Sequence, residues 1–192
     1  MAYLKEIRWH GRGGQGAKTA ATLMGEVAIA EGKFGQGFPE YGPERMGAPI
    51  KGFTRISDES INQHCAIEHP DVVVVLDPTL LDSVDVCENV KDGAVVIVNT
   101  NQDGKAVMDK LSCSDIKLFL VNATQIAMDE IGRPIPNTPM MGALVKATGV
   151  LQLETVNKDL AKKFGKKFAQ KIIDGNLNAV KRAYEEVTEY EN

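Results

Sequence analysis

The spacing of apolar residues changes period several times along the chain, and each change predicts an element. Leu4 to His10 alternates, with Leu4, Glu6, Arg8 and His10 on one side and Lys5, Ile7 and Trp9 on the other. That period of two predicts a first strand, although Leu4 falls with the polar set. A glycine-rich turn occupies Gly11 to Gly16. Ala17 to Glu31, rich in Ala, Leu and Met, then predicts a helix with Gly32 at its C-terminal cap. Phe34 to Pro49 carries Gly35, Gly37, Pro39, Gly42, Pro43, Gly47 and Pro49. Glycine relaxes the backbone and proline removes donors, so this segment is expected to be a long ordered loop rather than a regular element. Ile50 to Ser57 predicts a strand ended by Asp58 and Glu59.

The middle of the chain alternates strands and helices. The β-branched run Val72 to Leu76 predicts a strand buried on both faces, ended by Asp77-Pro78. Leu80 to Val90 is expected to form a short helix. Ala94 to Asn99 and Ile116 to Val121 predict further strands, and Ala123 to Ile131 a helix. In the last third, Met140 to Leu151 predicts an apolar helix. Leu160, Phe164, Phe168 and Ile172 recur every four residues, with Lys162, Lys163, Lys166 and Lys167 on the other side, which predicts one amphipathic helix with a basic outer face. Gly175 is expected to break the chain before a last helix marked by Leu177, Val180, Tyr184 and Val187. The fold class expected is α/β and Rossmann-like: a mostly parallel sheet, helices on both faces, and a helical C-terminal third. A length of 192 residues suits a single domain, 1–192.

Charge and composition narrow the function classes. With 26 acidic and 22 basic residues the net charge is -4, which gives no electrostatic footprint for nucleic acid. No apolar run approaches the roughly 20 residues of a membrane span. The N-terminal residues lack the apolar core of a signal peptide, so the chain is read as cytoplasmic. Cys65, Cys87 and Cys113 form no CxxC pair. An iron–sulfur cluster needs about four thiolates at tight spacing, so the chain is not expected to hold one alone. A disulfide framework is not expected either, and each cysteine is read as a small buried apolar side chain.

Gly11-Arg12-Gly13-Gly14-Gln15-Gly16 satisfies G-x-G-x-x-G between a predicted strand and a predicted helix. Such a turn lets a ligand approach the main chain, and a helix N-terminus offers unpaired N–H groups with a partial positive charge, which stabilise phosphate. Arg12 and Lys18 add positive charge and Gln15 adds hydrogen-bonding groups. Two readings of this motif are disfavoured. A nicotinamide site expects an acid ending the second strand, and Glu31 and Glu40 are poorly placed for it. A Walker A loop expects Lys directly after the last glycine. Here Ala17 intervenes before Lys18 and turns that side chain by about 100° on the helix. A tight turn without ligand is the bland alternative. His10 is expected at the carboxyl end of the first strand beside this turn, where open parallel sheets bind ligands. His64 and His69 flank Cys65 and Glu68 in a loop and make a weak metal site. No nucleophile elbow, HExxH or paired carboxylates appear, so no catalytic residue is assigned to this chain.

Four motifs occur together: the glycine turn, Phe38 to Pro49 (FPEYGPERMGAP), Asn137 to Leu144 (NTPMMGAL), and Asn178 to Glu185 (NAVKRAYE). In this order they resemble the gamma subunit of pyruvate:ferredoxin oxidoreductase, and of 2-oxoacid:acceptor oxidoreductases generally, over essentially the whole chain. Met46 departs from the pattern, which expects a second arginine or a glycine after Arg45. The resemblance implies a complex that decarboxylates a 2-oxoacid on thiamine diphosphate and magnesium, passes electrons through 4Fe-4S clusters to ferredoxin, and forms an acyl-CoA. It places those cofactors in alpha, beta and delta partner subunits and leaves this chain a role in assembly and coenzyme A binding. No nucleic acid or membrane partner is implied. The site expected to touch coenzyme A phosphates is Gly11, Arg12, Gly13, Gly14, Gln15, Gly16 and Lys18. A second loop, Tyr41, Gly42, Glu44 and Arg45, is expected at the ligand or at a subunit interface, and a third motif contributes Asn137, Thr138 and Met141. Pyruvate is the expected substrate. A 2-oxoisovalerate or 2-oxoglutarate enzyme, or a stand-alone NAD-dependent enzyme, are the alternatives.

Overall fold

The computed structural model of the protein describes residues 3–40 and 46–191. Its strands are β1 (Leu4–Arg12), β2 (Phe34–Pro39), β3 (Pro49–Ser57), β4 (Val72–Val75), β5 (Ala94–Asn99), β6 (Ile116–Val121) and β7 (Thr188–Tyr190). Its α-helices are α1 (Ala17–Ala30), α2 (Gly104–Met108), α3 (Ala123–Ile131), α4 (Asn137–Thr148), α5 (Leu153–Phe164) and α6 (Gln170–Glu186), with a 3-10 helix at Pro78–Asp82. All seven strands join one sheet in the order β2-β3-β1-β4-β5-β6-β7. β1, β4, β5 and β6 are parallel neighbours at its centre. The edge strands β2 and β7, and β3 next to β2, pair antiparallel.

Alternation along the strands divides the interior in two. Ile7, Trp9, Val72, Val74 and Ile97 face a core built with α1, α4, α5 and α6. Val73, Val75, Val96, Val98 and Leu118 face a smaller core closed by the 3-10 helix, the Val86 segment and α2. The helices thus cover both faces unequally. The polar side of β1 is also buried, since Arg8 and His10 are 3 % and 2 % exposed.

Several expectations need correction. The Phe34 to Pro49 segment is not wholly irregular, because its first six residues form β2. Glycine acts there as a spacer, not a breaker: a Cβ on Gly35 would lie 2.0 Å from the Gly25 carbonyl oxygen, and one on Gly37 2.4 Å from that of Ala21. Leu80 to Val90 forms only the short 3-10 helix and turns, its start set by the Asp77 side chain, which accepts from the Thr79 backbone N–H. The four-residue repeat from Leu160 to Ile172 does not make one helix. α5 ends at Phe164, residues 165–169 turn, and α6 begins at Gln170. Gly175 does not break the chain; it lies inside α6, where a Cβ would sit 2.3 Å from the Glu130 carbonyl oxygen of α3. Cys87 and Cys113 are paired in a disulfide rather than free, and Cys65 is exposed rather than buried. α2 and β7 had no clear pattern in the sequence.

Candidate functional site

The parallel centre of the sheet puts the carboxyl ends of β1 and β4 side by side, and the glycine turn leaves from the first of them. β3 runs antiparallel to β1, so its beginning, Pro49, pairs with Arg12 at the same end. The topology therefore delivers the 46–49 stretch to the glycine turn. Gly13 donates its N–H to Ala48 O at 3.0 Å, and Gly47 donates to Gly13 O at 3.3 Å. The third motif arrives through α4: the Asn137 side chain packs on Gly16, with Nδ2 2.5 Å from where a Cβ would stand. Gly16 has φ 81°, a left-handed conformation that glycine adopts at little cost, so an alanine would be strained as well as crowded.

Within the turn, two residues hold the loop. Gln15 Oε1 accepts from the Arg12 backbone N–H at 2.7 Å, and Gln15 Nε2 donates to Asp77 Oδ2 at 2.6 Å. The Arg12 guanidinium donates to Thr79 Oγ1 and to Gly47 O, and lies 3.4 Å from Asp77 Oδ2. Asp77, read from the sequence only as a strand end, is the acid that organises this corner. Burial raises its pKa, but hydrogen bonds from Thr79 and Gln15 and the charge of Arg12 outweigh that and hold it below the usual carboxylate range. The signal that would have found Asp77 is its position at the end of the neighbouring parallel strand, where ligand-end residues gather.

The donors that face outward are those of the helix start. Gly16 is the N-cap of α1 and offers no side-chain cap. The first N–H groups of a helix have no intrahelical acceptor, so Ala17, Lys18 and Thr19 present donors and the positive end of the helix dipole. A cavity of about 440 Å³ opens over them, lined by Gly13, Gly14, Gly16, Lys18 and Lys51 among others. Gly14, at φ 98°, has open space where a side chain would be. Of the seven residues expected in the turn site, Gly13, Gly14, Gly16 and Lys18 line this cavity, whereas Arg12 and Gln15 brace it from behind and Gly11 is buried beneath.

The remaining expected residues divide. Tyr41, Gly42, Glu44 and Arg45 lie outside the described residues. Thr138 and Met141 are interior: Thr138 Oγ1 donates to Asn176 Oδ1 at 2.9 Å, and Met141 is fully buried. His10 is close in sequence but sealed off, accepting at Nε2 from Arg8 Nε at 3.1 Å. Burial, then the charges of Arg8 and Lys51, push its pKa down to about 3. Among the described residues no three His, Cys, Asp or Glu side chains converge to hold a metal ion. With Cys87 and Cys113 paired to each other, these residues do not fit an iron–sulfur cluster. No helix among the described residues is long and apolar enough to cross a membrane.

Residues 6–186 match the family model described as pyruvate ferredoxin/flavodoxin oxidoreductase. The chain is 52% identical over 182 residues to the pyruvate synthase subunit PorC of Thermotoga maritima, covering 95% of this chain and 94% of that protein. It is 48% identical over 186 residues to the pyruvate/ketoisovalerate oxidoreductases common subunit gamma of Thermococcus litoralis, covering 97% and 98%. The crystal structure of pyruvate oxidoreductase subunit PORC from Thermotoga maritima superposes with a TM-score of 0.88 at 48% identity, over 98% of this chain and 99% of that one. On a family match over residues 6–186 and relatives about half identical along nearly the whole chain, this protein belongs to the pyruvate ferredoxin/flavodoxin oxidoreductase family.

Proposed function

We propose that this chain is the gamma subunit of a multi-subunit pyruvate:ferredoxin oxidoreductase, which turns pyruvate, coenzyme A and oxidised ferredoxin into acetyl-CoA, carbon dioxide and reduced ferredoxin. The observation that carries the reading is near-complete coverage of the PorC subunit in both sequence and fold. Thiamine diphosphate, magnesium and the 4Fe-4S clusters are assigned to the alpha, beta and delta partners, and all 192 residues are taken as one gamma-type domain. A second reading, a subunit shared between pyruvate and 2-oxoisovalerate enzymes, is favoured by one observation: the Thermococcus relative carries the name of a common subunit of both.

Within that role, the start of α1 receives the phosphates of coenzyme A. The first-turn N–H groups of α1, which follow an N-cap without a side chain, the exposed Lys18 and the cavity above them suit an oligoanion. Arg12 and Gln15 serve by keeping the turn in shape. In the assembled enzyme, Lys18→Ala should raise KM for coenzyme A about fivefold and leave KM for pyruvate within about twofold, as loss of one exposed charge-assisted contact predicts. Steady-state kinetics on a complex of unchanged subunit composition checks this. Equal changes in both constants would reject the phosphate assignment.

A further inference from the structure

A second and larger cleft of about 920 Å³ begins at the first turn of α1, where Lys18 and Thr19 line both it and the glycine-turn cavity, and extends toward the α5–α6 junction. Its apolar wall includes Leu23 of α1, Ile131 and Ile135 near the end of α3, and Phe164 at the end of α5. Phe168 and Ile172 stand at its rim with 46% and 42% of their surface in solvent. Phe164 and Phe168 meet edge-on with ring centroids 5.2 Å apart, so the aromatic wall is preformed. Every residue from 165 to 172 is exposed, a continuous run where α5 gives way to α6. Lone exposed apolar residues are ordinary; a contiguous apolar patch rimmed by charge marks an interaction site.

The charge around the cleft is mostly positive. Lys18, Arg133, Lys163, Lys166 and Lys167 line it, against Glu26 as the one acid in the lining. Glu26 is already engaged by Lys163, and Asp159 stands 3.8 Å from the same ammonium. Lys166 and Lys167 form no ion pair with a described residue. Burial, then the neighbouring charge of Lys167, lowers the Lys163 pKa. This concentration sits on a chain whose net charge is -4, so it is a local feature and not the drift of a basic protein.

We propose that this cleft docks an acidic segment of a partner subunit, anchored by one or two large apolar side chains against Phe164, Phe168 and Ile172. The inference rests on the subunit reading above. A protein segment suits the cleft better than a small molecule. The charged groups that line it are mostly long cations, which supply charge complementarity to an acidic segment, beside four neutral polar side chains, Thr19, Thr22, Asn137 and Asn176. The exposed run also continues along the backbone as an extended contact does.

The test uses the complex purified through a tag on this chain. Lys166→Glu with Lys167→Glu changes two exposed turn residues and should leave the melting temperature of the isolated full-length chain unchanged. It should lower retention of the partner subunits by about fivefold at moderate salt, with Phe168→Ser giving a loss of similar size without the salt dependence. Amide exchange over residues 164–172 should slow by about tenfold on assembly. Recovery of the unchanged complex with both variants, or equal exchange in the free and assembled chain, overturns the docking site alone. Protection of 164–172 by added coenzyme A without partners overturns it in favour of a small-molecule site. Recovery of the wild-type chain without any partner overturns both this site and the subunit assignment.

Discussion

On one side of β1, Ile7 and Trp9 press against α1; on the other, one residue away each time, Arg8 and His10 are buried almost as completely. The apolar side is held by area removed from water, with a single directional element, the Trp9 indole N–H donating to Thr54 Oγ1 at 3.0 Å. The polar side is held by fixed partners. Arg8 donates to Val86 O at 3.0 Å and to Glu88 O at 2.7 Å, tying the segment before β5 to the first strand. Arg55, 1 % exposed, donates to Glu6 Oε1 at 2.9 Å and lies over the Phe38 ring. Burying a charge costs energy that hydrogen bonds merely offset. The lesson is that the apolar face supplies stability, while the polar face fixes which segments lie against the strand.

The largest expected effect is on the apolar face. Trp9→Ala should cost about 3–5 kcal/mol, because a fully buried aromatic leaves a cavity and takes away one of the two hydrogen bonds of the Thr54 hydroxyl, which keeps only its bond to Ala21 O. A loss of unfolding free energy in denaturant titration of less than about 1 kcal/mol would mean that this face is not the main source of stability. The polar face should respond less and with a different signature. Arg8→Met keeps much of the volume but strands two carbonyl oxygens, for a loss of about 2–3 kcal/mol. Amide exchange should quicken around Val86 to Glu88 before it does around Ile7. Uniform quickening would erase the distinction between the faces.

The effect that is smallest at neutral pH grows as the pH falls. The His10 ring has its pKa pushed down to about 3 in the folded chain, against about 6.5 when unfolded. The unfolded chain therefore binds the proton first. This contribution to stability is complete above about pH 6.5 and declines by up to about 1.4 kcal/mol per unit as the pH falls toward 3. His10→Gln, which keeps an acceptor for Arg8, should flatten the slope of unfolding free energy between about pH 6 and 4 relative to the wild type. Identical slopes would show that the ring titrates normally.

Much of the architecture was legible because its signals are local. Val72 to Val75, Ala94 to Asn99 and Ile116 to Val121 are short apolar runs, and such runs at the centre of a parallel sheet read the same in sequence and in space. The failures share a cause: each depends on what the segment packs against. Gly35, Gly37 and Gly175 look like breakers until Gly25, Ala21 and Glu130 are seen beside them. The repeat from Leu160 to Ile172 keeps helical spacing across a turn, because Phe164 and Phe168 still meet there. At the site, the glycine motif announced the turn, but not that Arg12 would be spent on Asp77 and Thr79. That partnership spans more than sixty positions along the chain, beyond the reach of any local pattern.

The glycine seam between α1 and the β2–β3 ribbon has a bearing on how such a chain drifts over generations. Side-chain packing can be renegotiated one methyl at a time, and helices creep as their cores are rebuilt. Here Gly25 and Gly35 meet backbone to backbone, and Gly37 rests on the Ala21 carbonyl. The helix axis is thus gauged by main-chain atoms that mutation does not resize. Exchanges among Leu23, Met24 and Val27 can proceed while the first turn of α1 keeps its place over the sheet, so the start of the helix is insulated from the history of its own core.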